Sequence, residues 1–505
     1  MLFRSYIIGD TLAITVVFSE AVAVTGTPKL TLETGTSDAV IYYAAGSGTS
    51  TLSFEYVVAS GHASSDLNYA DTTSLTLNGG SVRDAAGNDA SLTLPDPDST
   101  GALGVNKALV IDGIVPTVNS VTSAIADGLF KLGDTLAITI TFSEAITVTG
   151  TPQLTLETGN NDAVVDYSSG SGTSILTFQY LVTAGDSTSD LDYVGAIALG
   201  LNNGSIRDTA GNNATLILPE PGASYSLGYN KALVIDGLVP TIFSVTSTAA
   251  DTVYKIDDLI AVIITLSEAV VVDTTGGKPQ IILETGATNA IADYSSGSGS
   301  AILTFNYTVA SGNSSNDLDY TSDSALTLNG GTIVDAAGSS ADLTLAAPGA
   351  AGSLAANKAL FIDGVSPVII SVSSNAIDTT YSIADTIGIA VTFSEAVTVT
   401  GTPQLTMETG DSDATVNYTA GTGTNVLTFN YIVANGHSSI DLDYVSTSAL
   451  ALNSGTITDA VGNAATLILP APGSAGSLSN NKTIVLDAEP PTVTQMLSTN
   501  SNGSY

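Results

Sequence analysis

Residues Thr135-Leu-Ala-Ile-Thr-Ile-Thr-Phe142 alternate large apolar side chains with small or polar ones. Successive side chains of a β-strand point to opposite faces, so this pattern predicts a strand with one buried and one wet face. Residues 153–157 and 175–180 alternate in the same way. Stretches rich in Gly, Ser and Pro separate the three runs at 149–152 and 168–172, where they predict turns. No segment carries an apolar stripe of helical period, and the pattern therefore indicates antiparallel sheets.

The same pattern recurs along the chain. The phrase Ala-Leu-Val-Ile-Asp-Gly occupies residues 108–113 and returns at 232–237, with variants around residues 363 and 487. Its aspartates are spaced 124, 127 and 124 residues apart, at Asp112, Asp236, Asp363 and Asp487. Periods of about 20 to 50 residues predict a solenoid, whereas a period of this length predicts a string of whole domains.

We therefore divide the chain into repeat 1 (1–113), repeat 2 (114–237), repeat 3 (238–364) and repeat 4 (365–488). Repeat 1 begins in the middle of the pattern, and residues 489–505 match the start of a fifth repeat. We expect from this that the sequence is a segment of a longer array.

Each repeat is expected to form roughly seven or eight short strands without helices, which predicts an immunoglobulin-like fold. The predicted fold class is all-β: a tandem array of four immunoglobulin-like antiparallel β-sandwich domains. A parallel β-helix is the structural alternative, but it would need a much shorter repeat. Only Leu238, Val239 and Pro240 separate repeat 2 from the next predicted strand, and Pro116 and Pro367 occupy the equivalent place. Because proline fixes φ at these joints, we expect a semi-rigid array.

The composition excludes several functions. The chain carries 48 acidic and 11 basic residues, a formal net charge of −37, with two histidines and no cysteine. A surface that tracks nucleic-acid phosphates is excluded by this balance, and so is attraction to an anionic membrane. Disulfides and thiolate metal sites are excluded by the absence of cysteine. We do not expect the first ten residues to form a signal peptide, and no apolar run is long enough for a membrane span.

The acidic residues recur at fixed places in every repeat. If the loops of a sandwich sort to two ends, five carboxylates of repeat 2 converge beside the joint to repeat 3, namely Asp127, Asp134, Asp190, Asp192 and Asp236. Like charges this close repel one another, and the chain has few cations to neutralise them. Calcium binds six to eight oxygen ligands and needs neither cysteine nor histidine. The sequence therefore predicts structural Ca²⁺ at the joints, and the alternative is that these are surface and turn acids that keep the chain soluble.

The predicted calcium ligands across the chain are Asp10, Asp66, Asp112, Asp127, Asp134, Asp190, Asp192, Asp236, Asp251, Asp258, Asp317, Asp319, Asp363, Asp378, Asp385, Asp441, Asp443 and Asp487. Two other recurring acids are weaker candidates. Glu144 is expected to follow a strand, and Asp208 to cap the turn Asp208-Thr-Ala-Gly-Asn212, with metal ligation as the alternative for both. The tyrosine of Asp190-Leu-Asp-Tyr193 is expected at the edge of the core with a wet hydroxyl, and the alternative is a platform that stacks on sugars.

An enzymatic function is not expected. His62 and His437 occupy equivalent loop positions, but repeats 2 and 3 have Asp186 and Asn313 there. A catalytic histidine is not expected to be present in two repeats and absent from the other two. Neither a catalytic site nor a cofactor-binding site is predicted, because nothing in the sequence indicates a deep pocket or aromatic subsites beside a carboxylate pair.

Several phrases together resemble a known family. They are Gly133-Asp-Thr-Leu-Ala-Ile-Thr, Phe142-Ser-Glu-Ala, Gly150-Thr-Pro-Gln-Leu-Thr-Leu-Glu, Asp190-Leu-Asp-Tyr, Asp208-Thr-Ala-Gly-Asn and Lys231-Ala-Leu-Val-Ile-Asp. The chain resembles the bacterial SWM-type repeat, a flagellar-system-associated tandem repeat of very large surface and secreted proteins. The resemblance covers nearly the whole chain and implies immunoglobulin-like domains in an adhesin-like protein at the cell surface or outside the cell.

The chain departs from the family pattern at three positions. Asn68 replaces the second acid of Asp-Leu-Asp-Tyr in repeat 1, Asp257 replaces the glycine before Asp258, and Ala384 precedes Asp385. The predicted calcium ligands are least secure at these joints.

Two functions follow for such an array. In the first, the repeats are a passive extender that projects a distal ligand-binding domain, and their partners are further repeats of the same polypeptide. Surface glycans or other cells would then be contacted only through that distal domain. In the second, the repeats themselves bind carbohydrate or neighbouring chains. An adhesive face requires clustered exposed aromatics, whereas the chain has no tryptophan and only 6% aromatic residues. This scarcity favours the extender.

Overall fold

The computed structural model describes residues 5–497 and residue 499. These residues divide into two compact units. One runs to Val239 and includes Ala337–Ser339, and the other comprises Pro240–Ala336 and the residues from Ser340 onward. Buried apolar side chains form four clusters in the described residues, and each cluster lies within one sequence repeat.

The elements follow one order in every repeat. Repeat 1 contains β1 (Ser5–Ile7), β2 (Thr11–Thr25), β3 (Lys29–Glu33), β4 (Ala39–Ala45), β5 (Thr49–Val57), β6 (Ala63–Ser64), β7 (Asn68–Tyr69), β8 (Leu75–Thr76), β9 (Ser81–Arg83), α1 (Leu103–Asn106) and β10 (Val110–Asp112). Repeat 2 contains β11 (Val118–Ser123), β12 (Gly128–Lys131), β13 (Thr135–Thr149), β14 (Gln153–Glu157), β15 (Ala163–Ser169), β16 (Thr173–Leu181), β17 (Ser187–Thr188), β18 (Asp192–Tyr193), β19 (Leu199–Gly200), β20 (Ser205–Asp208), α2 (Leu227–Asn230) and β21 (Leu233–Asp236).

Repeat 3 contains β22 (Ile242–Ser247), β23 (Val253–Lys255), β24 (Leu259–Asp273), β25 (Gln280–Leu283), β26 (Ala290–Ser296), β27 (Ser300–Thr308), β28 (Ser314–Ser315), β29 (Leu326–Thr327), β30 (Thr332–Val334), α3 (Leu354–Asn357) and β31 (Phe361–Asp363). Repeat 4 contains β32 (Ile369–Ser374), β33 (Thr380–Tyr381), β34 (Thr386–Thr400), β35 (Gln404–Glu408), β36 (Ala414–Ala420), β37 (Thr424–Ile432), β38 (Ser438–Ser439), β39 (Asp443–Tyr444), β40 (Leu450–Ala451), β41 (Thr456–Thr458), α4 (Leu478–Asn481) and β42 (Val485–Asp487).

Repeat 2 illustrates the topology. One sheet has the strand order β11-β13-β16-β15-β14-β18, and a smaller sheet has the order β12-β21-β17. All pairings are antiparallel except that of β12 with β21, which is parallel. Side chains from both sheets, such as Ile138, Phe178 and Ile235, belong to one buried cluster. Two sheets around one core form a β-sandwich, and the predicted tandem immunoglobulin-like all-β fold is confirmed.

The strand β13 is longer than the apolar alternation alone indicates. Its first part pairs with β16 and its last part with β20, and the register shifts between Thr141 and Ile146. This irregularity falls on the phrase Phe142-Ser-Glu-Ala. Glu144 therefore lies within the strand, not after it as expected, on the face that carries the buried Phe142 and Ile146.

Each repeat also contains one helical turn that the sequence did not indicate. In repeat 2 the turn begins after Ser226, whose Oγ accepts a hydrogen bond of 3.2 Å from the amide of Tyr229. Its buried Leu227 fills the core, and the Nδ2 of Asn230 donates to the carbonyl of Val121 in β11 at 2.8 Å. One turn cannot be recognised from a 3.6-residue period. No helix in the described part of the chain is long and apolar enough to cross a membrane.

The tyrosines of the Asp-Leu-Asp-Tyr phrases close the edge of each core. Their hydroxyl groups donate to backbone carbonyls 26 residues later, at Pro95, Pro219, Ala346 and Pro470. A wet hydroxyl was expected for Tyr193, but in the structure this hydroxyl donates to the backbone carbonyl of Pro219. This bond attaches the long loop after β20 to the sandwich.

Candidate metal centre

The candidate centre lies where repeat 1 meets repeat 2, and β13 supplies its first carboxylate. Glu144 occupies a core-facing position of β13 at the register shift. Its Oε1 is buried and accepts no hydrogen bond from any described residue. A buried carboxylate oxygen without a partner is costly, so a cation, a proton or a water molecule beside Glu144 Oε1 would stabilise the folded chain.

The second carboxylate belongs to a tight turn at the end of β20. The Oδ1 of Asp208 accepts hydrogen bonds from the amides of Gly211 (2.5 Å) and Asn212 (2.9 Å). The positive φ of Gly211 gives the turn its shape. The turn-capping role expected for Asp208 is thus present in the structure. Only 3% of Asp208 is exposed, however, so its carboxyl group lies inside the protein.

The third carboxylate is that of Asp112, the last residue of β10 in repeat 1. Its Oδ1 accepts from the amide of Ile114 at 3.2 Å. One carboxylate oxygen from each of Asp112, Glu144 and Asp208 lies within 4.8 Å of the other two. The predicted ligand Asp112 therefore meets two acids that the sequence marked as weaker candidates.

Two acids of this trio, Glu144 and Asp112, have raised pKa values. Burial raises the pKa of Glu144, and the charges of Asp208 and Asp112 raise it further. Burial also raises the pKa of Asp112, against the hydrogen bond from Ile114, and Asp208 adds to the rise. Both shifts have the same two causes: burial is the larger one, and the neighbouring carboxylates add to it.

Asn212 connects the two repeats beside the trio. Its Nδ2 donates to the backbone carbonyl of Asp112 (2.8 Å) and to the Oδ2 of Asp208 (2.7 Å), and its Oδ1 accepts from the amide of Ile8 (3.1 Å). One buried side chain thus satisfies two backbone groups of repeat 1 while it is fixed to repeat 2.

Repeats 3 and 4 reproduce this connection in the second unit. The Nδ2 of Asn463 donates to the carbonyl of Asp363 (2.8 Å) and to Asp459 (2.7 Å), while its Oδ1 accepts from the amide of Ile256 (2.9 Å). Burial raises the pKa of Glu395, as do the charges of Asp459 and Asp363. In the sequence, Asp236, Glu268 and Asp335 are the matching residue types for repeats 2 and 3.

The five carboxylates that were expected to converge in repeat 2 are divided between the two ends of β21. The parallel pairing of β12 with β21 places Lys131 opposite Asp236, and the amide of Lys131 donates to Asp134 at 2.9 Å. Asp127 lies at the other end, where the amide of Ala232 donates to it at 3.3 Å. The expected layout was wrong on this point, because the strand count missed β12 and β17, which reverse the direction of the chain.

Lysine neutralises one acid at the start of the last strand. Lys231 lies 3.0 Å from Asp127, and the equivalent pairs are Lys358–Asp251 at 2.8 Å and Lys482–Asp378 at 2.9 Å. The hydrogen bond from lysine is the main cause of the lowered pKa of Asp127, Asp251 and Asp378. These three predicted metal ligands are therefore satisfied by an ion pair in the structure.

The second acid of each Asp-Leu-Asp-Tyr phrase binds backbone amides. Asp192 accepts from the amides of Tyr193 and Gly222, each at 3.0 Å, and Asp319 and Asp443 make the equivalent bonds. In repeat 1 the direction of this hydrogen bond is reversed: the Nδ2 of Asn68 donates to the carbonyl of Pro97, whereas Asp192 accepts from the amide of Gly222. The first acid, Asp190, is close to Asp192 and Asp127, and burial followed by these two charges raises its pKa.

The remaining predicted ligands lie in turns and at strand ends. Asp10, Asp134, Asp258 and Asp385 each accept from the amide three residues earlier, before the long strand of each repeat. Asp112, Asp236 and Asp363 each accept from the amide two residues later. Asp66 and Asp441 accept from the amides of Leu109 and Ile484. Asp317 precedes β29, and Asp487 ends β42.

The two histidines, His62 and His437, lie in the loops that follow β5 of repeat 1 and β37 of repeat 4. The Nδ1 of His62 is 2.9 Å from the hydroxyl of Tyr56 and accepts from the amide of Ala59 at 3.2 Å. Asp186 and Asn313 make the same pair of contacts in repeats 2 and 3. Any acceptor of suitable length fills this position, so the position has a structural role.

No protein-family model matches the chain, and no curated protein matches it. Among solved structures, the I-band fragment I67–I69 from titin aligns with 74% of this chain and 99% of its own, at 11% identity and a TM-score of 0.26. The full extracellular region of plexin A4 aligns with 91% of this chain and 37% of its own, at 10% identity and a TM-score of 0.13. The S-layer protein rSbsC aligns with 71% and 59%, at 13% identity and a TM-score of 0.12. With scores this low, the fold assignment rests on the strand pairing of the chain itself.

Proposed function

We propose that the chain is an extender segment of a large bacterial cell-surface or secreted adhesin-like protein. In this role it would project a distal domain, and its own partners would be neighbouring repeats of the same polypeptide. The observation that supports this proposal most is the repeated connection by Asn212 and Asn463, which joins repeat 2 to the strand end of repeat 1 and repeat 4 to the strand end of repeat 3. An array that holds a distal domain at a distance needs rigid joints between its repeats more than it needs a binding pocket.

The distribution of exposed aromatics supports the extender over the adhesion module. Tyr42, Tyr225, Tyr229 and Phe243 are exposed, but none of them has an aromatic residue at the equivalent positions of the other repeats. A sugar-binding face built from repeats would be expected to recur with them.

We further propose that Ca²⁺ stiffens the joint between repeats 1 and 2. Asp112, Glu144 and Asp208 would hold the ion, since they offer hard oxygen ligands and include an oxygen without a hydrogen-bond partner, Glu144 Oε1. The ion would neutralise the trio, and water would complete its coordination. Because Asp112 belongs to repeat 1 and the other two acids to repeat 2, binding would favour the docked arrangement of the two repeats.

Calorimetric titration of the calcium-free chain with CaCl₂ tests this site. Replacement Glu144→Gln removes one charged ligand and is expected to weaken binding at this joint by roughly tenfold or more. Glu20→Gln is the matched control, since Glu20 occupies the same place in β2 of repeat 1. The calcium proposal fails if the chain binds no calcium, or if the two variants bind it equally well.

A further inference from the structure

One strand of repeat 2 divides its pairing between two neighbours and leaves a gap in the sheet. Residues 163–166 of β15 pair with β14, whereas the later residues of β15 pair with β16. Among the described pairings, residues 179–181 at the end of β16 pair with β13 alone. We call the gap between these two stretches the seam. Repeat 1 has the same seam, between residues 39–42 of β4 and residues 55–57 of β5.

Backbone groups point into the seam of repeat 1 from both sides. The groups of successive residues in a strand point to opposite sides of that strand. The amide of Tyr43 donates to a carbonyl on the β3 side, so the groups of Val40, three residues earlier, point the other way and into the seam. The amide of Val58 donates to a carbonyl on the β2 side, so the groups of Val57 point into the seam from the opposite wall. Facing strand edges of this kind are a template for an added strand.

The seam of repeat 1 contains a groove of about 540 Å³ with exposed apolar side chains along its walls. Val40, Tyr42 and Val57 line it and are 44%, 53% and 49% exposed. Repeat 2 has a groove of about 510 Å³ at the same place, where Val164 and Leu181 match the two valines and are each more than half exposed. Because the groove recurs in both repeats, it is a property of the fold.

The groove of repeat 1 is also acidic. Asp38 and Glu55 line it, and no lysine or arginine belongs to its described lining. Both acids are exposed, and neither forms an ion pair with a described residue. In repeat 2, Gln179 replaces Glu55, and the carboxylate that lines the groove, Asp166, accepts a hydrogen bond of 2.9 Å from Gln153. Carboxylates without a counter-charge beside an open strand edge complement a cationic ligand.

We propose that the seam of repeat 1 binds an extended peptide segment in which basic and apolar residues alternate. The backbone of the bound segment forms hydrogen bonds with Val40 on one wall and with Val57 on the other. Strand addition of this kind obtains affinity from backbone hydrogen bonds and specificity from alternate side chains. A second copy of this chain is a poor occupant, because it carries 48 acidic residues and only 11 basic ones. The inference goes beyond the extender function and does not depend on calcium.

The alternation follows from the two faces of the seam. Successive side chains of an added strand point to opposite faces of the sheet. On the outer face, Asp38 and Glu55 pair with lysine or arginine side chains, whose aliphatic stems cover the exposed valines. On the inner face, the buried Ile41 and Tyr56 line the groove, and an apolar side chain of the ligand packs against them.

Fluorescence anisotropy with the full chain tests the proposal. The probe is a labelled octapeptide of alternating lysine and valine, and a peptide with glutamate in place of lysine is its control. The lysine peptide should bind and the glutamate peptide should not. The substitution Glu55→Lys should weaken binding of the lysine peptide roughly fivefold or more, because it replaces an attraction with a repulsion.

Asp98→Lys is the matched control variant. Asp98 is exposed in the same repeat and is not among the described residues that line the groove, and the substitution changes the net charge by the same amount. It should leave the affinity for the lysine peptide close to that of the unmodified chain. The proposal is overturned if the lysine peptide does not bind, if the glutamate peptide binds as tightly, or if both variants weaken binding alike.

Amide hydrogen exchange provides a second measurement, which reports on the backbone. The bound lysine peptide should slow exchange at the amides of Val40 and Val57, and it should slow exchange less at Val164 and Leu181 in the seam of repeat 2. Unchanged exchange at Val40 and Val57 in the presence of bound peptide would contradict strand addition. Equal protection of the two seams would contradict the role of the acids in repeat 1.

Discussion

At the scale of single residues, the same position can keep its contacts while its side chain changes. His62, Asp186 and Asn313 all accept from a tyrosine hydroxyl and a backbone amide. Of the three side chains, only histidine changes its charge between about pH 5 and 8. The stability of repeat 1 should therefore depend on pH through this loop, whereas the equivalent loop of repeat 3 should make no such contribution.

Burial lowers the pKa of His62. Its Nδ1 must remain unprotonated to accept from Ala59, so the folded state favours the neutral ring. A lowered folded-state pKa means that the contribution of His62 is complete above its ordinary pKa of about 6.5 and is lost as the pH falls below that value. We expect thermal melts of repeat 1 to shift downward from about pH 7.5 to about pH 5 in the unmodified chain. The variant His62→Asn, which copies repeat 3, should reduce this shift, and an equal shift in both proteins would contradict the account.

Asn212 shows what the sequence conceals at this scale. The phrase Asp208-Thr-Ala-Gly-Asn212 predicts a turn, and the turn is there. Nothing in the phrase indicates that the side chain of Asn212 forms hydrogen bonds with the backbone of Asp112 and Ile8 in the preceding repeat. Contacts of this kind depend on how two domains dock, which local periodicity does not determine.

At the scale of elements, period-two alternation was sufficient to predict the long strands. It failed for two-residue strands such as β17 and for the single turn α2, which are too short to show any period. Those omissions matter, because β12, β17 and β21 decide which end of the sandwich each acid occupies. The recurrence of the acids was visible in the sequence, but their grouping was not.

The helical turns allow a test at this scale. Ser226, Ser353 and Ser477 cap α2, α3 and α4, whereas Ala102 precedes α1 and provides no side-chain cap. The substitution Ala102→Ser should stabilise repeat 1 by about 0.5–1 kcal/mol, and Ser226→Ala should destabilise repeat 2 by a similar amount. Urea unfolding followed by hydrogen exchange in each repeat measures both effects. An unchanged or lower stability in Ala102→Ser would show that this turn does not depend on its cap.

At the scale of the whole molecule, the internal repetition of the sequence is its most informative feature. The period of 124 to 127 residues predicts a string of whole domains, and the described residues form four separate cores. The net charge of −37 argues against nucleic-acid and anionic-membrane partners, but it does not locate a site. The site emerges only when β10 of one repeat, and β13 with β20 of the next, bring Asp112, Glu144 and Asp208 together.

The central claim is that calcium restricts motion between repeats 1 and 2. The chain has no cysteine, so Thr93→Cys in repeat 1 and Asn160→Cys in repeat 2 provide two unique labelling sites, both at exposed positions. Double electron–electron resonance between spin labels at these sites reports the distribution of their separations. We predict that adding CaCl₂ narrows the distribution, that EGTA restores its width, and that Glu144→Gln abolishes the response. A distribution whose width is the same with calcium and with EGTA would contradict the claim.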